Sequence, residues 1–322
     1  MKTVNFRGTN LRVSDLALGT GAMGSRFEDR ISLEILDCYV ANGGNFIDTA
    51  NVYGRWNPGR LPLSELLIGA WMKKHRLRHS LVIATKGAAD AIETPGIKRL
   101  APDQIRSDLE DSLRNLQTDY IDLYYLHQDD PRREIGEIME ILNQFVAEGK
   151  IRYFACSNWT AGRMRAADTY AAEHDMKSFV GHEIMFNLAE PNDAAVRSAA
   201  QSYMTKDIYT YHQITEKPVV AYTSQAAGFF ALCKEEGFLK EEKYAFPREM
   251  FCNEKSLRRA ERVEVLCRLK DATPLEITLA YLYSHPFQVI PIVGPWKVSE
   301  LEESLRASER RMSGEELAYL FE

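Results

Sequence analysis

The sequence predicts a (β/α)8 barrel, a ring of eight parallel strands surrounded by helices, in one domain that spans residues 1–322. Eight short apolar runs recur along the chain, and segments with helical periodicity separate them. The runs are continuously apolar rather than alternating, which is typical of strands covered on both faces in a parallel sheet. A length of 322 residues suits one such barrel.

The elements follow in order along the chain. Between the predicted strands, Pro102 opens a segment whose apolar residues recur every three or four positions, and residues 134–148 repeat this amphipathic pattern. Three pieces are expected outside the eight units: a hairpin around residues 7–10, an insertion at 224–253, and a short helix after Ser313. The predicted strands are LALGTG (16–21), NFIDT (45–49), LVIATK (81–86), YIDLYYLH (120–127), IRYFACS (151–157), SFVGHEI (178–184), PVVAYT (218–223) and FQVIPIVG (287–294).

Composition argues against several classes of function. The chain carries 40 Lys and Arg against 46 Asp and Glu, with no basic stripe of the kind that binds nucleic acid. The first residues lack a signal-peptide pattern, and no apolar run approaches the length that spans a bilayer, so no membrane partner is expected. The five cysteines are widely spaced without a Cys-x-x-Cys pair. This usage predicts reduced thiols, no metal site and a cytoplasmic protein.

The segment GTGAMG at residues 19–24 matches the dinucleotide fingerprint G-x-G-x-x-G. In a doubly wound fold a helix begins within those glycines, and an acidic residue ends the next strand about 20 residues later. Here the charged stretch 26–30 precedes any helix pattern, and Asp48 comes later than that spacing. The fingerprint alone is a weak indication, and the barrel is favoured.

Ionisable side chains stand at the ends of three successive predicted strands. Asp48 ends the second strand, Lys86 the third and His127 the fourth, while Tyr53 lies in the loop just beyond Asp48. Each residue by itself is more typical of an ordinary polar strand end. Because a barrel presents the C-terminal ends of its strands to the ligand, all four side chains are expected to converge at one site.

This set of side chains suits the reduction of a carbonyl group. A hydride must reach carbon while a proton reaches oxygen, so a positioned acid is needed. Lys86 beside the phenol of Tyr53 is expected to lower the pKa of that phenol towards neutrality, and Asp48 to pair with Lys86. His127 would orient the substrate oxygen and assist proton transfer. A different interpretation makes Lys86 the Schiff-base residue of an aldolase barrel.

The segments NFIDTANVYG, LVIATKG and DLYYLHQDDP resemble the aldo-keto reductase family, and the similarity spans nearly the whole chain. The resemblance implies an enzyme that interconverts an aldehyde or ketone with an alcohol, using a nicotinamide cofactor and no metal. It implies Asp48, Tyr53, Lys86 and His127 as the catalytic residues. Some relatives of this fold are partner subunits that hold nicotinamide with little turnover, and this is the alternative function. The complete set of four favours an enzyme.

The resemblance also implies a cofactor site. Ser157 and Asn158 match the family's pair that binds the carboxamide, and Tyr222 matches the tyrosine that stacks on the nicotinamide ring. Glu183 stands where the family commonly has Gln, and a carboxylate can accept a hydrogen bond from the amide but cannot donate one. The other expected cofactor contacts are Gly21, Ala22, Met23, Asp48, Thr223, Ser224, Gln225, Gly294 and Lys297.

The expected cofactor preference and the expected substrate each depend on a few loop residues. Family members that use NADP usually carry basic residues after the eighth strand, where Lys297 is the one candidate, so NADP is expected with NAD a close alternative. Phe27, Trp56 and Trp159 follow predicted strands and are candidates for the substrate pocket, with His127 at the substrate oxygen. Residues 128–130, Gln-Asp-Asp, could bind hydroxyls, which motivates the hypothesis of a sugar-derived carbonyl.

Overall fold

A computed structural model of the chain describes residues 1–57 and 59–321. Its strands are β1 (Thr3–Asn5), β2 (Arg12–Ser14), β3 (Ala17–Gly19), β4 (Phe46–Asp48), β5 (Val82–Gly87), β6 (Ile121–Leu126), β7 (Ile151–Ser157), β8 (His182–Met185), β9 (Val219–Tyr222) and β10 (Val289–Val293). The first two form an antiparallel hairpin, and the other eight close a parallel barrel in the order β10-β3-β4-β5-β6-β7-β8-β9. The predicted barrel and hairpin are both confirmed.

Helices occupy the segments between the strands. A helix begins at Pro102, as predicted. Proline suits the first helical turn, and the side chain of Gln104 accepts a hydrogen bond from the Ala101 N–H just before it. The helices are α1 (Asp29–Ala41), α2 (Leu63–His75), α3 (Pro102–Asn115), α4 (Ile135–Ala147), α5 (Ala161–Glu173), α6 (Asp193–Ser198), α7 (Lys206–Thr215), α8 (Phe229–Leu232), α9 (Ala245–Phe251), α10 (Glu254–Lys270), α11 (Pro274–Leu282), α12 (Val298–Ala307) and α13 (Gly314–Phe321). The insertion at 224–253 contains α8 and α9, and α13 is the expected final helix. No helix in residues 1–57 and 59–321 is long and apolar enough to cross a membrane.

The hairpin covers the N-terminal end of the barrel. Phe6, between β1 and β2, is fully buried, and its ring packs edge-on against Phe46 of β4 with centroids 6.2 Å apart. Leu11 and Val13 join the same buried cluster as the inward-facing residues of the strands. The opposite end, where the strands have their C-termini, is the mouth of the barrel and carries the predicted site.

The glycine fingerprint has a packing role. Strand β3 ends at Gly19 and α1 begins only at Asp29, so no helix opens within the glycines, as the barrel interpretation requires. A β-carbon on Gly19 would lie 2.6 Å from Cγ2 of Ile292 on the adjacent β10. Glycine is therefore needed at this position to let the first and last barrel strands approach each other.

Alternation along the strands decides which side chains enter the barrel. Lys86 of β5 points inward to the mouth, whereas its neighbour Thr85 points outward and donates a hydrogen bond to Glu65 of α2. In β8, Glu183 points inward to Lys86, and His182 points outward to His212 of α7. Asp48, at the end of β4, also bonds to Lys86, so polar residues of three different strands meet inside the barrel at its C-terminal end.

Candidate active site

Lys86 lies fully buried at the centre of the mouth. Its ammonium group donates to Oδ1 of Asp48 at 2.5 Å and to the carbonyl oxygen of Thr49 at 3.0 Å. Oε1 of Glu183 lies 3.3 Å from the same nitrogen. The predicted pair between Asp48 and Lys86 is present, and Glu183 is an additional partner that the sequence did not assign to Lys86.

Two buried carboxyl groups thus share one ammonium group. Burial disfavours the charge of Lys86, but the carboxylates of Asp48 and Glu183 outweigh it and raise the lysine pKa. Burial raises the pKa of Asp48, with Lys86 opposing the shift. Burial and the adjacent Asp48 raise the pKa of Glu183 well above its usual range. Lys86 therefore stays charged, and Glu183, more distant from the ammonium nitrogen, is the carboxyl group that more readily holds a proton.

Tyr53 approaches this cluster from the loop after β4. Nζ of Lys86 lies 5.2 Å from the centroid of its ring, and the ring of His127 stands nearly perpendicular to it at 6.0 Å. Burial raises the pKa of Tyr53 to about 12, and Lys86 opposes this shift while Asp48 and Glu183 add to it. Lys86 acts in the expected direction, but the net shift is opposite to the sequence prediction because burial is the larger effect. The phenol consequently keeps its proton at neutral pH.

His127 is the neutral member of the site. Burial and the nearby Lys86 ammonium lower the pKa of its imidazole to about 3. Its Nδ1 atom is buried and has no hydrogen-bond partner among the residues that the structure describes. A neutral imidazole carries one N–H and can donate a single hydrogen bond to a substrate oxygen.

A cluster of small hydroxyl residues holds Asp48 in place. The Thr20 hydroxyl donates to the Asp48 carbonyl oxygen at 2.9 Å, and the Ser64 hydroxyl donates to Thr20 Oγ1 at 2.8 Å. Thr49 and Ser64 also share a hydrogen bond of 3.0 Å. Sequence reasoning missed this support because isolated Ser and Thr residues carry no periodic signal, and the segments they come from are joined only by the fold.

Asn158, expected to bind the nicotinamide carboxamide, is fully hydrogen-bonded within the protein. Its Oδ1 accepts from the Tyr222 hydroxyl at 2.6 Å and from the Ser202 N–H at 3.0 Å. Its Nδ2 donates to the carbonyl oxygen of His127 at 3.1 Å and to the Ser157 hydroxyl at 3.1 Å. Asn158 itself has φ of +63°, a conformation that asparagine tolerates better than most residues. In this arrangement it positions its four neighbours, and Ser202 is a supporting residue that the sequence did not reveal.

The segment after β9 has an unusual backbone. Thr223, Ala226 and Ala227 all have positive φ, at 49°, 50° and 51°, and Gly228 follows at 79°. Runs of left-handed residues can turn backbone N–H groups towards one concavity, which is a common way to bind a phosphate group. Three non-glycine residues in this region store strain, a pattern associated with ligand-binding segments.

Two side chains in this segment are occupied by contacts within the protein. The Ser224 hydroxyl donates to the carbonyl oxygen of Ile292 at 2.6 Å, and the Gln225 amide donates to the Ser304 hydroxyl of α12 at 3.0 Å. These bonds tie the segment to β10 and α12. The backbone of the segment is therefore better placed than these two side chains to contact a cofactor.

The loop after β10 leads directly into α12. Lys297 is 67% exposed, so its charge is open to solvent and to a ligand, and its Nζ lies 3.7 Å from Oε1 of Glu300. The other oxygen of Glu300 accepts the Trp296 N–H at 2.8 Å. Gly294 is exposed at the start of the loop. The N-terminal end of a helix favours an anion, but Glu300 partly offsets that preference here.

The three residues after β3 that were expected to contact the cofactor differ in how accessible they are to a ligand. Gly21 lies against the ring of Tyr53, since a β-carbon on it would be 3.7 Å from Cε2 of that residue. Ala22 is half-buried. Met23 is only 1% exposed and belongs to the hydrophobic core, so its side chain is not available to a cofactor.

Aromatic side chains surround the mouth, but one of the three predicted to line the substrate pocket does not lie there. Trp56 is 37% exposed beside Tyr53, with ring centroids 6.3 Å apart, and Phe27 packs on exposed Trp296 at 5.7 Å. Trp159, expected in the substrate pocket, is instead fully buried and packs against Phe179 at 4.9 Å. Its indole is part of the hydrophobic core between barrel and helices, so we exclude it from the pocket. Trp296 takes a place at the rim that the sequence did not predict.

The polar residues after His127 are engaged by cations of the protein. Gln128 accepts a hydrogen bond from Lys98, Asp129 bonds to Arg163 at 3.0 Å, and Asp130 bonds to Arg132 at 2.8 Å. These contacts occupy the atoms that were expected to bind substrate hydroxyls. No cluster of three His, Cys, Asp or Glu residues in 1–57 and 59–321 is arranged to hold a metal ion.

The chain is thus a closed (β/α)8 barrel with an Asp–Lys pair, a phenol and an imidazole at its mouth. Residues 15–322 match the family model described as the Aldo/keto reductase family, and the chain belongs to this family. It is an oxidoreductase, and the family generally uses NAD(P)H to act on small-molecule carbonyl substrates.

Named relatives agree with this assignment. The chain is 32% identical over 308 residues to norsolorinic acid reductase B of Aspergillus parasiticus, covering 91% of this chain and 76% of that protein. It is 28% identical over 332 residues to aldo-keto reductase ausK of Aspergillus calidoustus, covering 99% and 79%. The crystal structure of the thermostable aldo-keto reductase Tm1743, in complex with the inhibitor epalrestat, superposes with a TM-score of 0.73 at 24% identity, over 99% and 98% of the two chains. This last similarity concerns the fold.

Proposed function

We propose that the protein reduces an aldehyde or ketone to an alcohol by hydride transfer from a nicotinamide cofactor, with Tyr53 as the general acid. The observation that carries this proposal is the buried Lys86 ammonium, paired with Asp48 at 2.5 Å and lying 5.2 Å from the ring of a protonated phenol. A phenol in this environment can give up its proton, because the adjacent positive charge stabilises the phenolate that remains.

The residues at the mouth fit a nicotinamide dinucleotide. Oδ2 of Asp48 and Oε2 of Glu183 are buried and receive no hydrogen bond from a donor in the described part of the chain. In the strained segment 223–228 the N–H groups of Ala226 and Gly228 donate within the segment, which leaves those of Ser224, Gln225 and Ala227 as the proposed contacts for a pyrophosphate. When bound, this cofactor supplies the hydride that goes to the carbonyl carbon. The residues that would hold it are Gly21, Ala22, Ser157, Glu183, Tyr222, Thr223, Gly294 and Lys297.

Each catalytic side chain has one task in this proposal. The neutral His127 donates a hydrogen bond to the carbonyl oxygen and orients it. Tyr53 transfers its proton to that oxygen as negative charge develops there. Lys86 stabilises the resulting phenolate, and Asp48 keeps Lys86 charged and in position, at 2.5 Å. The hydrogen bond that the ammonium group donates to the Thr49 carbonyl oxygen, at 3.0 Å, holds it from a second side.

Replacing Tyr53 with Phe tests the assignment of the acid. Turnover in Tyr53→Phe should fall about 10²-fold to 10⁴-fold, since the positioned acid is lost, while the Kd for the cofactor stays within a few-fold of wild type. Tyr209→Phe is the matched control, because that hydroxyl belongs to α7, outside the ring of strands, and is hydrogen-bonded to His285. Near wild-type rates in Tyr53→Phe would contradict the proposal.

A wild-type protein that binds the cofactor but reduces no carbonyl would favour the alternative, a nicotinamide-holding partner subunit. Borohydride trapping of a substrate on Lys86 would favour the aldolase mechanism instead. A change in nicotinamide absorbance during turnover supports the reductase. These three outcomes are separable in one set of assays.

We propose NADP rather than NAD as the preferred cofactor, supported by the exposed cation of Lys297 at the start of α12. The nearby Glu300 weakens this preference. Comparing kcat/KM for NADPH and NADH in wild type and in Lys297→Ala checks it, with the loss expected for NADPH alone. A strong preference of the wild type for NADH would contradict the choice.

For the substrate, the rim favours a carbonyl compound with a flat apolar body. Trp56 and the Phe27–Trp296 pair offer aromatic faces, whereas residues 128–130 are engaged by protein cations. The expected sugar-derived carbonyl has less support for that reason. A panel should contain aromatic aldehydes and ketones, keto-sugars, and norsolorinic acid, which the name of one relative specifies. Trp56→Ala should raise KM about tenfold for aromatic compounds only. A higher kcat/KM of the wild type for keto-sugars than for aromatic compounds would favour the sugar-derived substrate instead.

We also propose a cytoplasmic location, supported by five cysteines that are all free thiols. Fractionation of the producing cells with an antibody against the chain tests this. Recovery of the protein in a secreted or membrane fraction would contradict it.

A further inference from the structure

Glu183 is a buried carboxyl group without a complete set of partners. The residue is 3% exposed, so water cannot solvate its charge. Oε1 lies 3.3 Å from Nζ of Lys86, while Oε2 receives no hydrogen bond from a donor in residues 1–57 and 59–321. The Asp48 carboxyl group lies within hydrogen-bonding reach, so a proton held by Glu183 is shared with Asp48. An uncompensated buried carboxylate is costly, so this group needs either a proton or an additional positive charge.

Lys86 does not provide that charge in full. Its three N–H groups face Asp48, the Thr49 carbonyl oxygen and Glu183, and the Asp48 contact, at 2.5 Å, is the shortest. One ammonium group balances one carboxylate. When Asp48 and Glu183 are both ionised, the pocket therefore carries a net negative charge.

The location of Glu183 places this surplus charge beside the proposed nicotinamide site. Glu183 pairs in register with Ser157 on β7 and with Val220 on β9. Burial, followed by the charge of Glu183, raises the pKa of Tyr222. The family's glutamine at this position would be neutral. The titratable groups that face Glu183 from the surrounding elements are Asp48, Tyr53, Lys86, Tyr125 and Tyr222.

We infer that Glu183 makes the pocket select the oxidised nicotinamide cofactor over the reduced one, and that binding of the oxidised form releases a proton from Glu183. The inference rests on the proposed function. The oxidised nicotinamide ring carries a positive charge and the reduced ring does not, so only the oxidised form can balance an ionised Glu183. Charge is conserved in the exchange: the ring brings one positive charge in, and one proton leaves the carboxyl group for solvent.

Glu183→Gln removes the charge and keeps the shape of the side chain. Dissociation constants for NADP⁺ and NADPH, measured by quenching of tryptophan fluorescence, give the ratio Kd(reduced)/Kd(oxidised) for each protein; NAD⁺ and NADH replace them where the wild type binds that pair more tightly. The ratio should fall about tenfold or more in Glu183→Gln. Glu65→Gln is the matched control, since it neutralises a second buried carboxyl group that faces α3 and should leave the ratio unchanged.

The wild type also provides a test that needs no variant. As pH rises towards and through the raised pKa of Glu183, affinity for the oxidised cofactor should increase, because binding releases a proton, whereas affinity for the reduced cofactor should not. At neutral pH Lys86 and Tyr53 keep their protons and His127 is already neutral, so the released proton does not come from these three groups. Calorimetry of the oxidised cofactor in two buffers of different ionisation enthalpy counts the released proton directly.

The outcomes separate this inference from the proposed function. Equal ratios in wild type and Glu183→Gln, or proton release that is the same for both cofactor forms, would overturn the inference alone. A wild type that binds neither form would overturn the proposed function and the inference together. If Glu183→Gln does not fold, the pH dependence and proton count of the wild type decide the question.

Discussion

Two buried carboxyl clusters lie on opposite faces of β5, and they are built differently. Inside the barrel, Lys86 holds Asp48 and Glu183, and each of these carboxyl groups keeps one oxygen without a partner in the described residues. Outside the barrel, Glu65 of α2 accepts from the Thr85 hydroxyl at 2.7 Å and from the Asn115 amide at 2.8 Å. Both oxygens of Glu65 are satisfied, and both donors are neutral.

The difference separates a reactive cluster from a supporting one. A carboxyl group whose hydrogen bonds are all made by the protein has nothing left to offer a ligand, and it serves to fix α2 and α3 against β5. A cluster with surplus charge and free oxygens is unstable by itself and gains stability when a ligand completes it. Adjacent residues of one strand, Thr85 and Lys86, therefore serve opposite purposes.

Removing the ammonium group of the inner cluster is the strongest test of this contrast. Lys86→Met leaves two buried carboxyl groups without a counter-charge, which should lower the free energy of unfolding by about 3–5 kcal/mol at neutral pH. It should also lower turnover at least about 10²-fold, because the phenolate of Tyr53 loses its stabilising charge. Urea unfolding and a steady-state assay measure the two effects. Retained turnover in a folded Lys86→Met protein would contradict the assignment of the inner cluster as the reactive one.

Breaking the outer cluster should affect stability alone. Thr85→Val keeps the shape of the side chain but leaves one oxygen of Glu65 without a donor, at an expected cost of about 1–3 kcal/mol in the free energy of unfolding. Turnover at a temperature where the variant is folded should stay near wild type, since Thr85 points away from the mouth. A fall in kcat without a fall in stability would mean that the two clusters are coupled.

The inner cluster was largely predictable from the sequence, and the reason lies in strand periodicity. Asp48, Lys86 and His127 lie at the ends of apolar strands. A parallel barrel brings the C-terminal ends of its strands together regardless of the conformation of the loops. The eight strands were predictable for the same reason. Only the register between strands, which a single sequence does not contain, shows that Glu183 reaches Lys86.

Loop residues were less predictable. Trp159 follows a strand just as Trp56 does, yet one indole is buried in the core and the other is exposed at the rim. Their sequence contexts do not distinguish them, because the outcome depends on Phe179, which is distant along the chain and packs on Trp159. Likewise, Ser202 supports Asn158 through a contact between two segments that no local pattern connects.

The smallest expected effect is a pH dependence that belongs to the outer cluster. Burial raises the pKa of Glu65 above its usual value of 4.5, so the folded state holds this proton more tightly than the unfolded state does. The stability that Glu65 contributes is therefore fully present below pH 4.5 and declines as pH rises through the folded-state pKa. Residue 65 does not titrate in Glu65→Gln, so the stability of this variant relative to wild type should improve as pH rises, by about 1.4 kcal/mol per unit of pKa shift. Urea unfolding of both proteins across this range measures the trend, and a difference that stays constant with pH would mean that Glu65 is ionised in the folded protein at its usual pKa.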